Sequence, residues 1–221
     1  MPSIEARAHR LIVPRTARYL TLGDVDGPDE PQDVWFLCHG YGQLASEFLD
    51  CARVLEHTGR VLVAPEALSR FYHEDHKSVG ASWMTQDDRE SEMEDYVRYL
   101  DLLHEQFFEL VDRAAVRLVV LGFSQGAATA ARWAVRGRVD VDHLVLWGAA
   151  LPPELDDDTA LAPLKTMRVT LVGGDRDALF PESAREEQRL RLRRHGVPFS
   201  ELSFAGGHRL DDETLLRLAA S

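Results

Sequence analysis

A mostly parallel α/β sheet, flanked by helices on both faces, is the fold class this sequence predicts, and three observations predict it. Short apolar, β-branched runs alternate with longer helical patterns along the 221 residues, the order expected of strand-helix-strand units. Several of the runs, such as Val34-Trp35-Phe36-Leu37-Cys38, are apolar throughout, as strands buried on both faces are. One of them, Val116 to Leu121, leads through Gly122-Phe123-Ser124-Gln125-Gly126 into the alanine-rich stretch Ala127 to Ala134. That succession is a strand, a sharp turn and a helix.

The elements follow in order. His9 to Val13 and Arg18 to Leu22 are expected to form an opening antiparallel pair, and Gly23 to Gln32, rich in Asp, Gly and Pro, a surface turn. Val34 to Cys38 is the first strongly buried strand, Ser46 to His57 a helix and Arg60 to Ala64 the next strand. From Pro65 to Arg89 no period holds. That segment carries Phe71, Tyr72, Trp83, His73 and His76, and a connection of this length inside a compact domain is usually functional. Glu90 to Asp112 is a long amphipathic helix with Met93, Val97, Leu100, Leu103 and Phe107 on one stripe. Strands then follow at Val116 to Leu121, His143 to Trp147, Arg168 to Val172 and Phe199 to Phe204, and helices at Glu182 to His195 and Asp211 to Ala219. The acidic run Glu154 to Asp158 reads as a solvated loop. Without repeats or low-complexity linkers, residues 1–221 are expected to be a single domain, with 65–89 as a lid or substrate-binding insertion.

Composition narrows the function. A net charge of −12, from 37 acidic and 25 basic side chains, argues against nucleic acid or an anionic membrane surface as the main ligand. No run reaches the length of a transmembrane helix. The first twenty residues are interrupted by Arg7, Arg10, Arg15 and Arg18 and lack a signal-peptide core, so a cytoplasmic protein is expected. Cys38, in a buried strand, and Cys51, in a helix, are expected to be small core residues rather than a disulfide framework.

The chemistry is read from the turn at Ser124. The pattern G-x-S-x-G arises by accident in about 7% of chains of this length, so its strand and helix flanks are what distinguish it. A nucleophile at such a turn sits in strained backbone beside closely passing chain, which calls for Gly122 and Gly126. The competing reading of Ser124 is the N-cap of an ordinary helix. A serine hydroxyl needs a base, an orienting acid and oxyanion donors. His208, in Gly206-Gly207-His208 after a strand, is the base, with His73 and His76 as rivals. Asp177, just past the strand Arg168 to Val172, is the acid; Asp175 is better suited to hold the turn. The oxyanion donors are the amides of Gln125, next after the nucleophile, and Tyr41, in the loop His39-Gly40-Tyr41-Gly42.

Those motifs, together with Gly174-Asp175-Arg176-Asp177 ahead of Phe180-Pro181, resemble the phospholipase/carboxylesterase family of α/β hydrolases, which includes acyl-protein thioesterases and small bacterial carboxylesterases. The likeness spans roughly residues 33 to 210, and the Phe-Ser-Gln-Gly form of the turn is its most specific part. It implies the α/β-hydrolase fold and the triad Ser124, Asp177 and His208, with the family's acid-bearing motif selecting Asp177 over Asp175. It implies a serine esterase acting through an acyl-enzyme on small or medium acyl esters, with no metal or organic cofactor. A small-molecule ester is then the expected partner, and a homodimer fits, since relatives of this kind are sometimes dimers. Phe71, Tyr72, Trp83 and Met84 are expected to line the acyl pocket or a lid. Arg70 to His76 departs from the family's usual sequence, which leaves the acyl and alcohol preference open. A thioesterase or lysophospholipase on the same triad is the nearest alternative. A peptidase or amidase, or a non-catalytic binding protein that keeps the fold, ranks lower.

Overall fold

The computed structural model describes residues 6–24 and 31–221. Its centre is a seven-stranded sheet of β1 (Tyr19–Leu22), β2 (Asp33–Cys38), β3 (Arg60–Pro65), β6 (Arg117–Phe123), β7 (His143–Trp147), β8 (Arg168–Gly174) and β9 (Ser200–Phe204). In space the strands run β1-β3-β2-β6-β7-β8-β9. All neighbours are parallel except β1, which lies antiparallel to β3 with Tyr19 opposite Pro65. Strand order reverses around β2 and β6, and the carboxyl ends beside such a switch are where open α/β sheets place their ligands.

The apolar runs are explained by burial on both faces. Along β2, Val34, Phe36 and Cys38 enter one core while Trp35 and Leu37 enter the other. Leu118 and Val120 of β6 join the first core, and Val119 and Leu121 the second. The first face is covered by α2 (Arg89–Phe107), α3 (Gln125–Arg136) and, through Leu192, α4 (Glu182–Arg194). The second is covered by α1 (Ala45–Cys51) and α5 (Asp212–Ala219), through Phe48, Leu49, Leu215 and Leu218.

Several expectations are corrected. His9 to Val13 forms no strand, and Leu11, Ile12 and Val13 are exposed. The strand expected to pair with it, β1, joins β3 instead, where Leu20 and Leu22 pack on the second core. Most of the turn expected at Gly23 to Gln32 lies outside the described residues. The first helix ends early at Cys51, before a single 3₁₀ turn at Arg53–Leu55, and α2 ends at Phe107 rather than Asp112. Cys51 is exposed, so only Cys38 is a core residue. Stretch 65–89 is not formless: β4 (Ser69–Tyr72) and β5 (Val79–Ser82) make an antiparallel hairpin. Its turn is drawn together by Asp75, which accepts from Lys77 N at 2.8 Å and Ser78 N at 2.9 Å. Nor is Glu154 simply solvated. It pairs with Arg132 at 2.5 Å and Arg89 at 2.7 Å. Burial would raise its carboxyl, but the two guanidiniums outweigh that and hold it at about 2.

Candidate active site

Strand β6 delivers Ser124 in a conformation few serines adopt, at φ 54° and ψ −120°. Strain of this kind costs about 1–3 kcal/mol and persists only where its surroundings impose it. Here the Ser124 N–H donates to Trp147 O of β7 at 2.8 Å, and Ser124 O accepts from Ala127 N at 2.9 Å. The flanking glycines are a matter of space. A Cβ on Gly122 would lie 2.1 Å from Gly126 O, and one on Gly126 would lie 2.0 Å from Cys38 O. Although Ser124 precedes α3 as its N-cap, its side chain makes no capping hydrogen bond. The hydroxyl is therefore not engaged by its own helix.

Asp177 and His208 are brought together from loops after β8 and β9. Oδ2 of Asp177 accepts from His208 Nδ1 at 2.8 Å. Its Oδ1 accepts from the N–H groups of Leu179 at 2.9 Å and Phe180 at 3.0 Å. The carboxylate, 4% exposed, is thus fixed through both oxygens. Because Nδ1 donates to it, the neutral imidazole of His208 carries its lone pair on Nε2, which is buried and has no hydrogen-bond partner among the described residues. The ring rests against Phe123, the residue before Ser124, with centroids 4.7 Å apart. No hydrogen bond joins Ser124 to His208 among the described residues; such contacts are often long before substrate binds.

Asp175 has different work. Its Oδ1 accepts from Gly206 N at 2.8 Å and its own N–H donates to Phe204 O at 2.9 Å. It fastens the acid-bearing loop to the histidine-bearing one. Of the rival histidines, His73 contacts Gly42 O at 3.1 Å and His76 sits at φ 52° in the hairpin turn. Neither hydrogen-bonds to Asp177.

The loop after β2 is pinned at its root. His39 is fully buried; its Nε2 accepts from Ala67 N at 3.0 Å while Nδ1–H donates to Gly40 O at 2.8 Å. Burial pushes this imidazole below its ordinary value, which suits a neutral ring acting as acceptor and donor at once. Gly40 N donates to the Gln43 side chain at 2.9 Å. The amide of Tyr41 lies between these fixed points. The amide of Gln125, first in α3, faces no intrahelical acceptor. The Gln125 side chain, which sequence reasoning left without a task, clamps the chain after β5. It accepts from Trp83 N at 3.0 Å and donates to Met84 O at 2.8 Å.

No family model matches this sequence, and no curated protein matches it. Solved structures do. It is similar to acyl-protein thioesterase 2 of Zea mays, with 19% identity over 93% of this chain and 99% of that one and a TM-score of 0.70. It is similar to the carboxylesterase of Bacillus cereus, at 16% identity over 92% of each chain and a TM-score of 0.69. A phospholipase/carboxylesterase from Dyadobacter fermentans matches at 16% identity over 95% of this chain and 98% of its own, TM-score 0.64. The chain has the α/β-hydrolase fold.

Within this hydrolase fold the four residues expected to contact substrate part company. Phe71 is half-buried and stacks on the Tyr41 ring, with centroids 5.2 Å apart. Tyr72 is 67% exposed. Met84 is half-buried and its sulfur meets Arg132 at 3.4 Å. Trp83 is only 2% exposed: it packs edge-on to Tyr96 at 6.1 Å and its indole N–H donates to His39 O at 2.8 Å. A ring enclosed this way is core, and the expectation that it lines a pocket or lid is corrected. Leu179, 75% exposed beside Asp177, was not anticipated, because nothing local marks an apolar residue as exposed. Among the described residues no group of three or more His, Cys, Asp or Glu is placed to hold a metal ion. No helix there is long and apolar enough to cross a membrane.

Proposed function

We propose that the protein is a serine hydrolase of carboxylic esters that works through an acyl-enzyme. The observation that carries this reading is Ser124 at positive φ, its hydroxyl uncapped, next to a residue that packs on the Asp177-bound His208. Ser124 Oγ adds to the ester carbonyl as its proton passes to His208 Nε2. The tetrahedral intermediate collapses, His208 returns that proton to the leaving alcohol, and the acyl group stays on Ser124. Water then repeats the sequence and releases the acid. Asp177 holds the imidazole tautomer and stabilises imidazolium as it forms. The amides of Tyr41 and Gln125 take the oxyanion, each at a cost of about 3 kcal/mol if lost. Small or medium acyl groups are the substrates of this reading, with Phe71, stacked on Tyr41, and the exposed Tyr72 as contacts.

The test is turnover of p-nitrophenyl acetate and butyrate by wild type and Ser124→Ala. Loss of turnover in the variant supports the proposal, and equal rates sink it. Similarity to an acyl-protein thioesterase structure favours thioesters as the second reading. Matched thioester and oxygen-ester substrates, ranked by kcat/KM, decide between the two.

A further inference from the structure

We propose that the β4–β5 hairpin braces the oxyanion loop through His73, which makes His73 a positioning residue for the reaction above; the inference rests on that reading. Gly42 is held by the hairpin at both backbone groups. Its N–H donates to Ala81 O at 2.9 Å, and its carbonyl accepts from His73 Nε2 at 3.1 Å. A carbonyl can only accept, so Nε2 carries the proton and the His73 tautomer is set by this contact. Gly42 itself sits at φ 79°, which glycine adopts without steric cost. One residue upstream, the Tyr41 ring stacks on Phe71, whose ring meets His73 edge-on at 5.3 Å. The fit is close. A Cβ on Gly80 would lie 2.4 Å from Gly42 O and 2.7 Å from His73 Nε2, so the hydrogen bond occupies space that only glycine leaves.

The His73 side chain is not what holds the hairpin together. Its turn is closed by Asp75 and by the backbone bond from His73 N to Ser78 O at 2.9 Å. Its far end is clamped by Gln125. Among the described residues, the one hydrogen bond of the imidazole goes instead to the loop that carries Tyr41. An oxyanion donor acts by being in place before charge develops, and loosening it penalises the transition state more than the bound ester. The Arg70 to His76 stretch, which departs from the family pattern, therefore supplies the brace.

The experiment compares wild type, His73→Ala, His73→Gln and Gly80→Ala by two readouts. These are hydrogen exchange of the amides in residues 40–44, and kcat and KM on p-nitrophenyl butyrate. His73→Ala is expected to speed exchange in 40–44 and lower kcat about tenfold with KM within about threefold. Gly80→Ala, which wedges the same contact apart, is expected to do likewise. His73→Gln, whose amide can donate from nearly the same position, is expected to restore most of kcat. Unchanged exchange in His73→Ala overturns the brace, as does a kcat loss that His73→Gln shares in full. A wild type that turns over no ester sinks the esterase reading alone, and the exchange comparison still decides the brace.

Discussion

Replacing Asp177 by Asn tests the acid's role at the level of single protons. The carboxylate accepts two backbone N–H groups on Oδ1, from Leu179 at 2.9 Å and Phe180 at 3.0 Å, and His208 on Oδ2 at 2.8 Å. An asparagine must keep its oxygen toward the two amides, so its NH2 faces His208 Nδ1. That nitrogen must then accept, the ring proton moves to Nε2, and His208 can no longer take a proton from Ser124. Turning the side chain over to regain the working tautomer leaves the buried Phe180 N–H and the part-buried Leu179 N–H facing an NH2. At about 1–3 kcal/mol for each unsatisfied donor, the flip costs about 2–6 kcal/mol. The competent state is thus populated at about 3% at most and about 0.004% at least. Asp177→Asn should therefore lower kcat between about 30-fold and about 2 × 10⁴-fold, a range that contains the loss of about 10⁴ known for an Asp-to-Asn exchange in another triad. Stability should be nearly unchanged, because both loop amides keep their acceptor. The assay is p-nitrophenyl butyrate turnover alongside urea unfolding, with Asp175→Asn as the control, expected within about threefold of wild type. A well-folded Asp177→Asn protein that kept more than a tenth of wild-type kcat would refute the reasoning.

Three further expectations rest on named contacts. Gly126→Ala places a Cβ 2.0 Å from Cys38 O and 2.5 Å from His39 O; backbone on both strand and loop cannot yield, so urea unfolding should show a loss of about 3 kcal/mol or more, and a loss below 1 would contradict the packing. Gln125→Leu leaves Met84 O with Ser82 Oγ at 2.9 Å but strips Trp83 N of its acceptor; stability should fall about 1–3 kcal/mol, while Ser124 stays reactive to a fluorophosphonate probe. His143, on β7, bonds Thr170 Oγ1 at 2.8 Å, and burial pushes its imidazole down to about 4. The unfolded chain protonates it near its ordinary value of about 6.5. Its neutral form thus supports the fold fully above that value, and the support drains away as pH falls toward 4. Between pH 7 and pH 5 wild type should lose about 2 kcal/mol more than His143→Leu in urea unfolding; parallel losses would refute the assignment.

How much of this was legible depends on how local each feature is. Strand, turn and helix around Ser124 are encoded by residues within a few positions of one another, and β7 was read with its observed bounds, His143 to Trp147. Where an element is short or its partner distant, the reading failed. The hairpin at 69–82 has four-residue strands containing Arg70 and Gly80, too brief for an alternation to register. The first strand was given the wrong partner, because pairing is settled by which edge offers both free backbone groups and an apolar layer to cover. Trp83 looked like a pocket residue for the same reason, since an aromatic in an irregular stretch carries no mark of burial.

Sequence alone determined the two-faced parallel sheet, the sharp turn at Ser124 and the short list of groups able to act with it. Apolar runs and glycines act through their immediate neighbours. Only the tertiary structure decided which residues meet. It tied Asp175 to the Gly206 amide, gave the Gln125 side chain to Trp83 and Met84, and set His73 against Gly42. Those contacts join residues about 30 to 40 positions apart, across loops that the strand order gathers at one end of the sheet. Hydrogen-bond geometry there turns on fractions of an ångström. No local pattern carries that information, because the distances exist only once the strands have paired.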